Sequence, residues 1–266
     1  MRAVSTPDRN LVASRFSEAS SAYDNHALHH HLIADELMTI VKFMHPRSIL
    51  ELGCGTGILS GKLNDSFPEV LKTFTDGAFG MVRVCRSKIP ESDLVRHRVW
   101  DFEEMACDKE YGLVVSSCAL QWLCDPDSFT MRLHSLLEPE GVTVHAIPVR
   151  GMLGELEESF SLTGGEWNTL NYLCGSEWDS LFEKAGFDVT GSYTKDFTVD
   201  YPSAVDALRA LRGIGASLSG HSGAVSIPPG SLRKALSFYQ KEYAGNSGTV
   251  PASYRVHFLI AERRKK

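Results

Sequence analysis

The sequence predicts an α/β protein organised around a doubly wound, mostly parallel, seven-stranded sheet. Two observations lead there. Apolar runs at residues 49–52, 70–75, 94–100, 113–117 and 142–147 alternate with helix-like stretches, the pattern of repeated strand–helix–strand units. The first run closes on Glu51-Leu52-Gly53-Cys54-Gly55-Thr56-Gly57, three glycines at alternate positions where a strand must turn sharply into a helix at 58–63.

Ahead of the sheet, residues 12–44 carry apolar side chains at helical spacing, Phe16, Ala19, Tyr23, Ile33, Leu37 and Val41 among them, and Pro46 closes the stretch. Residues 1–44 are therefore read as an N-terminal helical cap and 45–150 as the ligand-binding core. Between 148 and 175 the pattern weakens into Gly-containing, mixed-polarity sequence. This reads as an insertion after the fifth strand, standing over the carboxyl ends of the strands and governing substrate choice. A helix over 176–185, ended by Gly186, leads into an alternating run at 187–199. A helix at 204–211 and a last strand at 254–260, with Tyr254, Val256, Phe258 and Ile260 on one face, finish the sheet, so that 151–266 complete the same domain.

The totals exclude several classes. A chain of 266 residues with a formal charge of −6 lacks the basic face a dedicated nucleic-acid binder needs; only the Arg263-Arg264-Lys265-Lys266 tail is densely positive. Residues 1–10 are polar, and no apolar run is long enough to span a bilayer, so a cytoplasmic protein is expected. Six scattered cysteines, Cys54, Cys85, Cys107, Cys118, Cys124 and Cys174, form no C-x-x-C pair and read as reduced thiols. No metal site is expected. His29-His30-His31 does not alter that, because consecutive helical positions cannot converge on one ion; they are placed on an exposed or cap-contacting face.

The glycine spacing is E-x-G-x-G-x-G. A dinucleotide fingerprint would put its third glycine at position 58, which is isoleucine. Asp76 ends the second strand, where a carboxylate can accept hydrogen bonds from both hydroxyls of a ribose; a turn aspartate before Gly77 is the alternative. Trp100-Asp101-Phe102 ends the third strand and offers an acceptor for an exocyclic amine beside an aromatic face, or else an N-cap and a core ring.

In this order, E-L-G-C-G-T-G, T-D-x-x-x-x-M (Asp76, Met81), W-D-F, S-S-C-A-L-Q-W and L-L-E-P-E-G, residues 45–150 resemble the Rossmann-like core of the class I S-adenosylmethionine-dependent methyltransferases. Outside that core the chain resembles the biotin-pathway malonyl-acyl-carrier-protein O-methyltransferases. The match lies at Arg15-Phe16, Ala19, Tyr23-Asp24 and His26-Ala27, at the Ala119–Trp122 loop, and at Leu208, Arg209, Leu211, Arg212, Ile214, Gly215 and Ala216. Departures from that family are Gly112 for an aspartate, Glu140-Gly141 for a Gly-Gly pair, and His30 for a glutamine.

The resemblance implies S-adenosyl-L-methionine as cofactor and S-adenosyl-L-homocysteine as product, held by Glu51, Gly53, Cys54, Gly55, Thr56, Gly57, Asp76, Met81, Asp101, Phe102 and Ser117. It implies methyl transfer to the free carboxylate of malonyl-acyl carrier protein, or malonyl-CoA, by a monomer, giving the ester that starts pimelate synthesis. Other small acceptors of the quinone C-methyl or dicarboxylate type, and a non-catalytic methyltransferase-like binding protein, remain alternatives. Tyr23 is the expected catalytic residue, near the transferred methyl, unless it is a core tyrosine. Arg150, Arg209, Arg212, Gln121 and Trp122 are the expected acceptor contacts, with surface solvation as the competing role of the arginines. An acidic carrier protein would dock on Arg209, Arg212, Arg233 and Lys234.

Overall fold

The computed structural model describes residues 8–104, 110–164, 170–214 and 228–264. Helix α1 (Arg9–Ala19), a 3₁₀ turn (Tyr23–His26) and α2 (Leu28–Val41) precede β1 (Ser48–Leu52). Then follow α3 (Ile58–Ser66), β2 (Leu71–Asp76), α4 (Phe79–Lys88), β3 (Val95–Val99), β4 (Tyr111–Ser117), α5 (Pro126–Leu136) and β5 (Leu137–Pro148). The chain ends with α6 (Gly154–Leu162), α7 (Gly175–Lys184), β6 (Phe187–Tyr201), α8 (Ala204–Gly213), α9 (Pro229–Tyr243) and β7 (Val250–Arg263).

The seven strands form one sheet in the order β3-β2-β1-β4-β5-β7-β6. The first five are parallel; β7 runs antiparallel to both β5 and β6. Every residue of β1 is buried, as a strand covered by helices on both faces must be. On one face α2 packs Ile33, Leu37 and Val41 into a core with Leu113, Val115 and Phe258. On the other, Phe129 and Leu133 of α5 and Trp178 and Phe182 of α7 cover Leu50, Val114 and Leu259. From β1 the chain travels outward through β2 and β3, then returns to the other side of β1 as β4. This reversal opens a crevice at the carboxyl ends of β1 and β4, where ligands of doubly wound sheets bind.

The structure departs from the sequence reading in five places. The cap is two helices, because Asp24 leaves the helical path to accept hydrogen bonds from Thr56 (2.5 Å) and Lys88 (2.5 Å), and a 3₁₀ turn replaces the expected helix there. β3 stops at Val99, so Asp101 and Phe102 lie in the turn beyond it. Helices α5 and α9 were not foreseen, although each starts with proline in its first turn and Asp125 caps α5 through the Ser128 amide. In the described part of the region after β5, α6 lies away from the strand ends: it packs on α9 and β7, and the Glu155 carboxylate receives the Ser253 hydroxyl. His29 is buried against the sheet, its ring stacked on Tyr254 of β7 at 3.9 Å, rather than on an exposed or cap-contacting face.

Glu140, where the resembling family has glycine, takes φ +65, a conformation that suits glycine. Cys107, Gly215, Ala216, Lys265 and Lys266 lie outside the described residues.

Candidate active site

The glycine turn is built by three different constraints. Gly53 (φ +71) lies against the loop after β4, where a Cβ would stand 2.5 Å from that of Ala119. Gly57 (φ +93) caps α3, with room for a Cβ only at 3.0 Å from the Cys85 sulfur. Gly55 (φ +53) differs: a Cβ there would meet no protein atom within 4 Å. Packing excludes side chains at the first and third positions, whereas at the second the peptide faces open space.

That space is a cavity of about 210 Å³ at the crevice between β1 and β4. Its floor is Gly53 and Gly55 with Ser117, Cys118 and Ala119 from the end of β4. Asp76, Ala78 and Met81 form one side and Asp101 and Phe102 another. The roof is α1, through Arg9, Ala13 and Phe16, together with Tyr23 and Trp122. The Phe16 and Trp122 rings meet edge to face at 5.4 Å. The Ser17 hydroxyl receives the Gly80 amide at 3.2 Å, and a Cβ on Gly80 would stand 2.5 Å from the Ser17 carbonyl oxygen, so α1 and α4 are in backbone contact.

Asp76 joins β2 to the glycine turn. Its carboxylate accepts from the Gly55 amide (2.9 Å) and the Ala78 amide (2.8 Å), while burial raises its pKa to about 6 against those two bonds. Asp101 accepts from Arg9 at 2.8 Å, and Arg9 also reaches Glu104 at 2.7 Å, so an ion pair ties the roof to the β3 side. Cys118 takes φ +54, a strained conformation for a residue with a side chain, at the edge of the cavity. Burial pushes its thiol up to about 12.

Behind Tyr23 lies a second, water-sized cavity of about 40 Å³. It is bounded by Tyr23, His30, Glu51, Cys54, Thr56 and Ser117. Glu51 is buried and accepts from Ser60 at 2.6 Å; burial raises its pKa well above the usual carboxylate range. The Tyr23 hydroxyl lies 3.3 Å from Nδ1 of His30. Burial raises the Tyr23 pKa well above its ordinary value and lowers that of His30 to about 4, so both are neutral near pH 7.

The structure thus gathers Tyr23, Gly53, Gly55, Asp76, Met81, Asp101, Phe102, Ser117 and Trp122 around one cavity, with Glu51, Cys54 and Thr56 at the smaller one behind it. Gly57 borders neither and acts through the helix it caps. Gln121 sits in the loop after β4, donating to the Cys118 carbonyl at 2.7 Å, and its buried Oε1 has no hydrogen-bond partner among the described residues. The three arginines stand outside both cavities. Arg150 pairs with Glu177 at 3.2 Å, Arg209 with Asp206 at 3.0 Å, and Arg212 is exposed near the end of α8. Of the region after β5, Tyr172 comes close enough to Cys118 for that thiol to add to the upward shift burial imposes on its hydroxyl.

Asp24, His30 and Arg9 belong to this arrangement and were not singled out as site residues. Asp24 could have been found from its place in the Tyr23-Asp24 motif. Nothing in the local sequence marks Arg9, whose partners are some ninety residues away.

The residues fit S-adenosylmethionine. Gly55 presents bare backbone to the cavity, Asp76 is a strand-end carboxylate placed to accept from hydroxyls, and Phe102 and Met81 supply apolar walls for a purine. Residues 49–141 match the methyltransferase domain family. That stretch is a methyltransferase domain, set in a Rossmann-like sheet. Over its whole length it is similar to proteins named malonyl-[acyl-carrier protein] O-methyltransferase. One from Brevibacillus brevis is 28% identical, with 95% of this chain and 96% of that one aligned, and one from Geobacter sulfurreducens is 26% identical, with 96% and 99% aligned. Among solved structures, a candidate methyltransferase of Bacillus halodurans superposes with a TM-score of 0.62 at 15% identity, over 87% of this chain and 99% of that one. The YcgJ protein of Bacillus subtilis does so with a TM-score of 0.61 at 13% identity, over 89% and 100%. These two similarities establish the fold alone.

Proposed function

We propose that the protein methylates the free carboxylate of a malonyl group carried by acyl carrier protein, as a cytoplasmic, monomeric enzyme. The observation that carries this reading is the extent of the similarity to the malonyl-[acyl-carrier protein] O-methyltransferases, which covers the cap and the C-terminal strands as well as residues 49–141.

When bound, S-adenosylmethionine supplies an electrophilic methyl on a sulfonium. The protein's task is placement, which can account for about 7–11 kcal/mol of a barrier when the attacking group is held in line. Asp76 takes the ribose, Gly55 lets the backbone approach, and Asp101 and Phe102 face the base. A malonyl carboxylate, with a pKa of roughly 4, is ionised at neutral pH and needs no general base. Tyr23 stays protonated and donates toward the acceptor, oriented by His30. The Cys118 thiol, held protonated by burial, does not compete as a nucleophile. Closing α1 over the site excludes water and replaces it with fixed dipoles around two opposite charges that become neutral products.

The test is incubation with methyl-labelled cofactor and, separately, malonyl-carrier protein, malonyl-CoA, free malonate and aconitate. A base-labile methyl ester on the malonyl thioesters is expected. Label on free malonate or aconitate alone would replace the carrier reading with a free-acid one, and label on none would favour a non-catalytic binding role.

A further inference from the structure

Helix α9 carries a cationic ridge between two apolar grooves. Arg233 and Lys234 are exposed and make no ion pair among the described residues; Lys241, two turns on, pairs only with the adjoining Glu242. On one side Leu232 and Leu236 form a groove of about 620 Å³ against α8, whose Val205 is 42% exposed. On the other, Phe238 forms a groove of about 560 Å³ with Leu162, 63% exposed at the end of α6. Of the acids on α6, Glu158 accepts from the Tyr243 hydroxyl at the far end of α9, three turns from Arg233, and Glu155 accepts from Ser253 on β7. In a chain of net charge −6, positive charge flanked by exposed leucine and valine is a surface matched to an acidic, amphipathic helix.

The ridge connects to the catalytic cavity through α8. That helix is ten residues long, about 15 Å at 1.5 Å per residue. It starts at Ala204 in the groove, exposes Val205, Arg209 and Arg212 at i, i+4 and i+7 along one stripe, and ends where Gly213 packs against His26. The next residue, Ile214, clusters with Tyr23 and Met81. A pantetheine arm is long enough to lie along such a helix, from the docking face to the cavity.

We propose that the outer face of α8 and α9, centred on Arg233 and Lys234, docks an acidic helix of the carrier protein and that α8 guides the acyl arm from there to Tyr23. This rests on the carrier reading of the function.

The test compares the wild type with R233E/K234E, whose melting temperature and cofactor binding by calorimetry should be unchanged. The expected result is a fall of about tenfold or more in kcat/KM for malonyl-carrier protein, with malonyl-CoA turnover within about twofold of wild type and a carrier rate that drops with added salt. Equal carrier kinetics in the two proteins, or an equal loss on both substrates, would overturn the proposal. If the wild type methylates no malonyl-carrier protein, the functional reading fails. The docking face is then decided separately by calorimetry with unacylated holo-carrier protein: binding lost in R233E/K234E sustains it, and no binding to wild type overturns it. A concentration-dependent dimer abolished by R233E/K234E would assign the face to a second copy of the chain and also overturn it.

Discussion

The hydroxyl of Tyr23, in the 3₁₀ turn of the N-terminal cap, stands 3.3 Å from Nδ1 of His30 on α2, and the two side chains border the smaller cavity behind the glycine turn. Because His30 is neutral, its ring can accept from the tyrosine or donate to it. Removing the partner leaves the hydroxyl free to rotate. His30→Leu is expected to lower kcat by about 5–30-fold, the equivalent of one lost orienting hydrogen bond of roughly 1–2 kcal/mol, with little change in cofactor Kd. His30→Gln should restore most of the rate. Unchanged steady-state kinetics in both variants and in Tyr23→Phe would take this pair out of the mechanism.

Asp76 makes cofactor binding pH dependent. Its pKa in the folded protein is raised to about 6, so the acid form persists up to that pH, whereas donation from ribose hydroxyls favours the carboxylate. Affinity for S-adenosylhomocysteine should therefore be constant above about pH 7 and decline as pH falls through 6, with proton release on binding in that window. The raised pKa has the opposite consequence for the ligand-free fold: the stability this group contributes is present at low pH and lost as pH rises from its unfolded value near 3.9 through 6. Asp76→Asn is expected to weaken cofactor binding by about 10–100-fold and to abolish that pH dependence, since hydrogen bonds to charged groups are worth roughly 1.5–3 kcal/mol. Calorimetry across pH 5–8 measures both.

Gly80 controls how the roof sits. With the Ser17 carbonyl 2.5 Å from where its Cβ would be, Gly80→Ala must push α1 away from α4. The sheet core does not pass through this contact, so thermal unfolding should shift little while cofactor affinity falls several-fold. Wild-type affinity in Gly80→Ala would mean that α1 does not govern closure.

His145 sets acid stability. It is fully buried between the Ser116 hydroxyl (2.7 Å) and the Thr143 hydroxyl (2.6 Å), and burial lowers its pKa to about 3. The unfolded chain takes up a proton near pH 6.5 that the folded one refuses, so stability present above 6.5 is lost as pH falls toward 3, by up to about 1.4 kcal/mol per pH unit. Urea midpoints should drop steeply below pH 6. In His145→Gln the slope should be shallower, whatever its stability at neutral pH.

Much of this protein was legible before any coordinates. Strand positions followed from buried apolar runs, because a strand covered on both faces is built mostly of apolar residues, and the alternation with helices implied the parallel sheet. The glycine turn and Asp76 were legible for a related reason: positive φ and a strand-end carboxylate are local requirements, written in adjacent residues. Tertiary structure alone decided which distant groups share the cavity. Arg9 reaches Asp101, Asp24 holds Thr56 and Lys88, and Tyr23 meets His30, while Arg150, paired with Glu177, stays at the surface. Such pairings depend on how α1 and the 3₁₀ turn lie across the ends of β1 and β4. That placement is set by packing between segments far apart in the chain, and no periodicity or spacing within one segment encodes it.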